Sequence, residues 1–485
     1  MQRITSATVA NLFDIAATRR IEQSAASALA AHTLMQRAGL AVARLAMAIA
    51  PHARTIWIAC GPGNNGGDGF EAAAQLQNRG FAPVVTFVGD ENRLPPDAKA
   101  SLRRARDAGV IFAPHPPADF ELAIDALLGI GSTRPPEGVM AEWLQRMHAA
   151  ARPVLSVDVP SGLNADTGAL SAAAPHAASS RFCITFLTLK PGLFTGQGRD
   201  AAGTVWFDDL GCDGNAEPPT ARLMGAPKER TRTHASHKGS YGDVAVIGGA
   251  RGMAGAALLA GSAALHAGAG RVYVGLLDPS AALIDTSQPE LMLRDAQAID
   301  LSGMSVVCGC GGGTEVRAAL PRVLATAAAL VLDADALNAI ATDSALQTQL
   351  ASRARRGKPT VITPHPLEAA RLLGCTASDI QSDRLAAARQ LASRFGVVAV
   401  LKGSGTVIAD ANGTPPVVNT TGNARLATAG TGDVLAGMIG AALAARQPAF
   451  EAACEAAWRH GRIADTWPAD AAPLTAGTLA RRAPF

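Results

Sequence analysis

Residues 55–80 read TIWIACGPGNNGGDGFEAAAQLQNRG: a short apolar run, glycines interleaved with side-chain oxygens, then an alanine-rich helical pattern. An apolar strand that turns through glycines into a helix is the opening unit of an open, mostly parallel α/β sheet. The spacing Gly61-x-Gly63-x-x-Gly66 matches a dinucleotide-binding turn, where backbone N–H groups and a helix N-terminus hold an anion. Asp90, beyond the next apolar run, lies near where the ribose-binding acid of a dehydrogenase would fall. Asn64, Asn65 and Asp68 argue the other way. A turn built only for close backbone approach has no use for their side chains.

Outward from this unit the pattern repeats. Apolar runs at 83–89, 121–129, 153–162, 181–187 and 203–209 are separated in several places by helical segments, which predicts a parallel sheet covered on both faces. Residues 213–238 are polar and proline-rich, without a periodic apolar face, and mark a domain boundary. Beyond it the alternation resumes, with strands expected at 243–249, 271–277, 304–313, 329–338, 359–366 and 397–410. The last includes a hairpin through DANG, and GDVLAGMIGAALAA follows as a buried helix. A chain of 485 residues needs more than one core, so two successive α/β domains are expected.

Composition removes several classes of function. A net charge of +3 gives no electrostatic case for nucleic acid or an anionic membrane. Seven scattered cysteines form no CxxC pair and no zinc-ligand spacing, which suits a reducing compartment. The longest apolar helical stretch, 434–445, falls well short of the roughly 18 residues of a membrane span. No signal-peptide pattern is visible at the N-terminus, so a cytoplasmic protein is expected.

In open α/β sheets ligands bind beyond the carboxyl ends of the strands. Asp125 ends the strand LAIDA and, once buried, needs a cation, donors or water. The loop GIGSTRPPEG that follows is suited to covering a ligand. SVDVPSGLNADTG puts Asp158 and Ser161 at another strand end, Asp158 placed either for proton transfer or as a cap. Asn65, Asp125 and Ser161 offer hard oxygens alone, which suit an alkali cation better than a transition metal.

In the second half, Gly430-Thr431-Gly432-Asp433 opens an apolar helix. Its N–H groups and dipole form an anion hole, with Asp433 able to deprotonate an attacking hydroxyl. LKGSGT supplies Lys402 and a tight turn for a phosphate or nucleotide edge, and TPHP presents His365 rigidly between prolines, either as a contact or as a structural histidine. DADALN brings two more acids to a strand end, and a strand–glycine–helix unit places Ala256 and Ala257 at a helix start. No Walker A sequence occurs.

The segments GPGNNGGDGF, AIDALLGIGSTRPPEG, SVDVPSGLNADTG and MQRAG (35–39) resemble, in order, the N-terminal domain of the bifunctional NAD(P)H-hydrate repair enzymes. HKGSYG, DADALN, TPHP, KGSGT and GTGD resemble the C-terminal domain of the same family. The resemblance implies a Rossmann-like αβα domain over 1–215, a linker over 216–227 and a ribokinase-like α/β domain over 228–485. It implies an isomerase that interconverts the R and S hydrates of NADH or NADPH. A lyase would then use ADP to dehydrate the S form, leaving AMP, phosphate and the restored cofactor.

By residue match, the epimerase hydrate would touch Asn64, Asn65, Gly66, Gly67, Asp68, Gly129, Ile130, Gly131, Ser132, Thr133, Arg134, Pro135 and the catalytic acid Asp158. Potassium would sit on Asn65, Asp125 and Ser161. The dehydratase hydrate would touch Ala257, Gly311, His365 and the catalytic Asp433, and the nucleotide Lys402, Gly403, Ser404, Gly405, Thr406 and Gly432. Magnesium is expected with ADP, and a homo-oligomer is expected.

Three short stretches depart from the family. Its glycine-proline-glycine-leucine-glycine loop is Gly309-Cys310-Gly311-Gly312-Gly313 here, which frees the backbone. Ala424-Arg425 replaces a proline-glycine pair, and Ala429 stands where glycine is usual. The competing reading is a ribokinase-like kinase of a small alcohol fused to a non-catalytic Rossmann-like binding module. A dehydrogenase ranks last.

Overall fold

The computed structural model describes all residues except 133, 172–179, 213–216, 230, 282–283 and 484–485. The chain divides into two compact units, Met1–Thr5 with Ala10–Arg222, and Ser6–Val9 with Leu223–Phe485. Among the described residues, a short strand, Ala221–Leu223, lies inside the 216–227 stretch expected to be linker.

The sheet of the first unit runs Gln2–Arg3, Thr204–Asp208, Arg181–Phe186, Val154–Val157, Leu122–Ala126, Ile56–Cys60, Pro83–Phe87, Ile111–Phe112. Every pair is parallel except the outermost, where Gln2–Arg3 lies antiparallel to Thr204–Asp208. The parallel winding therefore starts in the middle at Ile56–Cys60, runs to one edge, and returns through Leu122–Ala126 toward the other. Alternate residues of the central strand face opposite layers. Ile56, Ile58 and Cys60 join one apolar cluster with helices Thr33–Ile49, Asn64–Gln77 and Pro96–Asp107, while Trp57 and Ala59 join another with Val139–Ala149. The first unit is thus a three-layer Rossmann-like domain whose strand order reverses between Ile56–Cys60 and Leu122–Ala126.

The second unit repeats the winding. Its sheet runs Met292–Asp295, Arg271–Leu276, Asp243–Gly248, Ser305–Cys308, Ala329–Leu332, Thr360–Ile362, Val398–Leu401, all parallel, then Val407–Ala409 and Val417–Val418 antiparallel. Helices Ala254–His266, Thr431–Ala444 and Ala449–Asp465 share one apolar core with Val244, Val246, Val307 and Val331 of the sheet. The reversal lies between Asp243–Gly248 and Ser305–Cys308, and the unit is of the ribokinase-like α/β class.

One local expectation changes. The glycine-rich stretch is not a loop leading to a helix: the helix begins at Asn64, so Gly66, Gly67 and Gly69 are helical. A Cβ on Gly66 would meet the Gly61 carbonyl oxygen at 2.0 Å, and one on Gly69 would meet Cys60 Sγ and Ala126 Cβ at 2.7 Å. These glycines let the helix seat against the strand ends.

Candidate functional sites

A cavity of about 590 Å³ opens at the reversal point of the first sheet. Asn64, Asn65, Asp68, Gly129, Ile130, Gly131, Ser132 and Asp158 line it. Gly66 and Gly67 lie in the helix behind, Arg134 and Pro135 are exposed beyond the rim, and Thr133 falls outside the described residues. Gly63, the helix N-cap, provides no side-chain cap, so the first-turn N–H groups remain for a ligand.

Asp125 and Ser161 sit in the protein wall beside this cavity. Both are buried, with Ser161 Oγ 2.6 Å from Asp125 Oδ1 and Ser161 N 2.9 Å from Oδ2. Burial pushes Asp125 above the usual carboxylate range, and the Ser161 hydrogen bonds pull it back in part. Asn65 is buried too, and neither its amide nitrogen nor its oxygen has a hydrogen-bond partner among the described residues. Its side chain lies against Gly129, where a Cβ would come within 3.2 Å of Asn65 Oδ1. A buried carboxylate, a hydroxyl and an unsatisfied amide fit a cation with hard oxygen ligands.

Asp158 holds a left-handed backbone conformation, φ 64°, which costs a non-glycine residue roughly 1–3 kcal/mol and must be imposed by its surroundings. Its N–H donates to the Ile184 carbonyl at 2.7 Å, and Lys190 Nζ reaches its Oδ1 at 2.7 Å. Lys190 is fully buried and also donates to Thr185 Oγ1 at 2.9 Å and the Phe186 carbonyl at 2.8 Å. Nothing in LTLKPGL distinguishes this lysine by sequence. Only the sheet brings residues 158, 185 and 190 together. Acids crowd the same cavity: burial and Asp158 raise Glu22, while burial, Asp158 and Glu22 raise Asp68 well above a normal carboxyl.

At the reversal point of the second sheet, two uncapped helix N-termini accompany a glycine loop. Gly430, with φ 88°, is the N-cap of Thr431–Ala444 and Met253 that of Ala254–His266, and neither supplies a side-chain cap. Ala257 is buried in the first turn of the latter helix, and the Gly311 backbone packs on that turn: a Cβ there would meet Met253 O at 2.6 Å and Ala256 Cβ at 2.8 Å. His460, buried and held neutral by a pKa lowered to about 4, lies 2.9 Å through Nε2 from the Thr431 carbonyl and braces the helix start.

Lys402 Nζ lies 2.6 Å from Asp333 Oδ1. Burial works against the lysine's charge, but Asp333 and Glu368 outweigh it and hold its pKa above the usual value. A Cβ on Gly432 would fall 3.3 Å from Lys402 Nζ and 3.7 Å from Asp333 Oδ2, so the anion-hole backbone, the lysine and the acid converge. Asp433 stands beside them with a pKa raised to about 6, first by burial and then by Asp333. Ligand atoms of Cys310, Asp333 and Asp433 all lie within 4.8 Å of one another, which puts the loop's departure from the family pattern against Asp433. The Lys402 turn is braced from below, the Arg384 guanidinium donating to the Leu401 and Lys402 carbonyls at 3.1 Å each. Gly403 and Gly405 take φ of 135° and 60°, Ser404 lies between them, and Thr406 Oγ1 donates to the Gly403 carbonyl at 3.1 Å.

His365 proves to be a helix cap as well as a candidate contact. Its Nδ1 accepts the Leu367 N–H at 3.1 Å, which leaves the proton on Nε2, 3.3 Å from Glu368 Oε1. Burial and then Lys402 lower its pKa, so it is neutral near pH 7. Glu368, missed by sequence reasoning because it reads as an ordinary helix-surface acid, is buried here with a pKa raised to about 7.

Two doubly wound α/β units, each with acids and uncapped helix N-termini at its reversal point, define a two-site α/β enzyme. Residues 244–484 match the NAD(P)H-hydrate dehydratase family, and residues 31–192 the YjeF-related protein N-terminus. The bifunctional NAD(P)H-hydrate repair enzyme Nnr of Escherichia coli is 38% identical over 467 residues, covering 92% of this chain and 88% of that protein. A bifunctional NAD(P)H-hydrate repair enzyme of Leishmania braziliensis is 35% identical, covering 89% of this chain and 84% of its own. The ADP-dependent (S)-NAD(P)H-hydrate dehydratase of Neisseria meningitidis is 44% identical over 258 residues, 52% of this chain and 85% of that protein. The chain belongs to the family of bifunctional NAD(P)H-hydrate repair enzymes.

Proposed function

We propose that this enzyme repairs hydrated nicotinamide cofactors in two steps, epimerising the R and S hydrates of NADH or NADPH in the first unit and dehydrating the S form with ADP in the second. The likeness to the Escherichia coli enzyme over 92% of the chain carries this reading, and at that coverage it reaches into both units. A small-alcohol kinase joined to an inert binding module is disfavoured by Asn65, Asp125, Ser161 and Asp158 all lying at or beside one cavity.

In the first unit, Asn64 to Asp68 and Gly129 to Pro135 bind the hydrate, and Asp158, which lines the cavity, serves as the proton-transfer group. Asn65, Asp125 and Ser161 hold potassium, whose charge offsets the buried Asp125 carboxylate and steadies the two loops that frame the cavity.

In the second unit, Ala257, Gly311 and His365 seat the S hydrate with its hydroxyl toward Asp433. Lys402, Gly403, Ser404, Gly405, Thr406 and Gly432 hold the nucleotide. Asp433 takes the hydroxyl proton as its oxygen accepts the terminal phosphoryl group of ADP, and AMP departs. The C–O bond then breaks, phosphate leaves, and the neighbouring ring carbon gives up a proton to restore the double bond. The anion hole and Lys402 stabilise the charge on the transferring group. Magnesium with the nucleotide would find a hard carboxylate oxygen on Asp333, in keeping with its habit of taking one or two carboxylates plus phosphate.

The reading is tested by supplying each hydrate separately. Restoration of NADH from the S hydrate must require ADP and yield AMP, and the R hydrate alone must become an R/S mixture by chromatography. Failure of both sinks the reading. A homo-oligomer is our expectation for the assembly, and a monomeric mass by light scattering would remove it.

A further inference from the structure

We propose that Lys190 is a positioning residue for the first site, its ammonium locking one oxygen of Asp158 so that the other is offered to the hydrate. The inference rests on the epimerase reading of the cavity. Lys190 is 1% exposed and gives its donors to Asp158 Oδ1, Thr185 Oγ1 and the Phe186 carbonyl, all within 2.9 Å. A lysine so buried is tolerable only when paired. The arrangement is more than compensation of charge. Both hydrogen bonds to the Asp158 carboxylate, from Lys190 and from Thr185 at 3.3 Å, go to Oδ1, and Oδ2 has no partner among the described residues. Asp158 lines the cavity, and its strained backbone fixes the carboxylate from the main-chain side while Lys190 fixes it from the other.

The surroundings make the cation necessary. Around Asp158 stand Arg19 and Glu22 from helix Ile15–Ala28, Asp68 from Asn64–Gln77, Asp97 from Pro96–Asp107 and the Cys183 thiol from Arg181–Phe186. With three further carboxyls sharing one cavity, the Lys190 ammonium is the buried donor that keeps the Asp158 carboxylate fixed among them. Thr185 and Lys190 thus connect the last parallel strands of the sheet to the reacting centre, though neither needs to touch the hydrate.

The test uses full-length K190M and K190R, with ADP-dependent dehydration of the S hydrate by the same chains as a control on the protein preparation. Epimerisation of the R hydrate is followed without ADP. K190M should lower kcat about 10²-fold or more, the scale of a misplaced general base, with little change in KM. K190R, which keeps a cationic donor at this position, should recover part of the rate. Equal losses of kcat in both variants, or a loss expressed mainly in KM, would overturn the proposal and leave Lys190 as a packing residue. So would wild-type kcat in K190M. Absence of epimerisation in the wild-type chain would overturn the reading of the site, and the role of Lys190 with it.

Discussion

Both units put a lysine–aspartate pair at the reversal point of a doubly wound sheet, and the two pairs are used differently. In the first, Lys190 grips Asp158 itself, the acid proposed to act, at 2.7 Å. In the second, Lys402 grips Asp333 at 2.6 Å and leaves Asp433, the acid proposed to act there, beside the pair. The first unit thereby secures a carboxylate in a cavity crowded with acids. The second keeps a carboxyl whose pKa of about 6 lies close to working pH, and sets its cation beside the backbone proposed to hold phosphate. On the proposed reading, one winding scheme serves two chemistries, and the two sites differ in which acid the lysine holds.

The comparison is broken most sharply by removing each acid alone. D433N should lower ADP-dependent repair by about 10²–10⁴-fold while leaving epimerisation intact, read as NADH absorbance and R/S ratio from one sample. D158N should do the reverse. Loss of both activities in either variant would contradict separate sites. D125N comes next: with its carboxylate gone, half-activation of epimerisation should need at least about tenfold more potassium, a loss of about 1.4 kcal/mol in cation binding. An unchanged potassium titration would remove that cation from the account.

The pH profiles sharpen the contrast. Burial and Asp333 raise Asp433, so its base form is present above about pH 6 and is lost as pH falls through that value. Dehydration should therefore decline below about pH 6, whereas an ordinary aspartate would sustain it to near pH 4. A dehydratase profile flat to pH 5 would show that Asp433 is not the group that titrates. The smallest effect concerns packing. G66A drives a Cβ toward the Gly61 carbonyl oxygen, a backbone atom that cannot swing aside, and should destabilise the first unit by roughly 1–3 kcal/mol in thermal melts. The dehydratase should be untouched. A melt identical to wild type would mean the helix seats without that glycine.

Much of this was legible in the chain. Near-continuous apolar runs such as TIWIAC and SVVC could only be buried parallel strands, and the acids at their ends marked the ligand side of each sheet. Strands of two residues, Gln2–Arg3 and Ile111–Phe112, escaped because they carry too few residues for a pattern, and Met292–Asp295 because half of it is exposed and charged. The start of the helix at Asn64 was hidden by glycines that read as a loop and serve packing instead. Lys190 and Glu368 were invisible for another reason. Their importance lies in burial beside Asp158 and Lys402, which local sequence does not carry. Cys310 was seen as a departure within its loop, but its approach to Asp433 is a product of the fold.

The central claim, two complementary sites on one chain, is tested most directly by giving the wild-type enzyme an equilibrated mixture of R and S hydrated NADH with excess ADP and following absorbance of restored NADH. The account predicts recovery of the whole mixture, with AMP formed in step. A plateau at the S fraction would contradict an active first site, and no recovery would contradict the account as a whole.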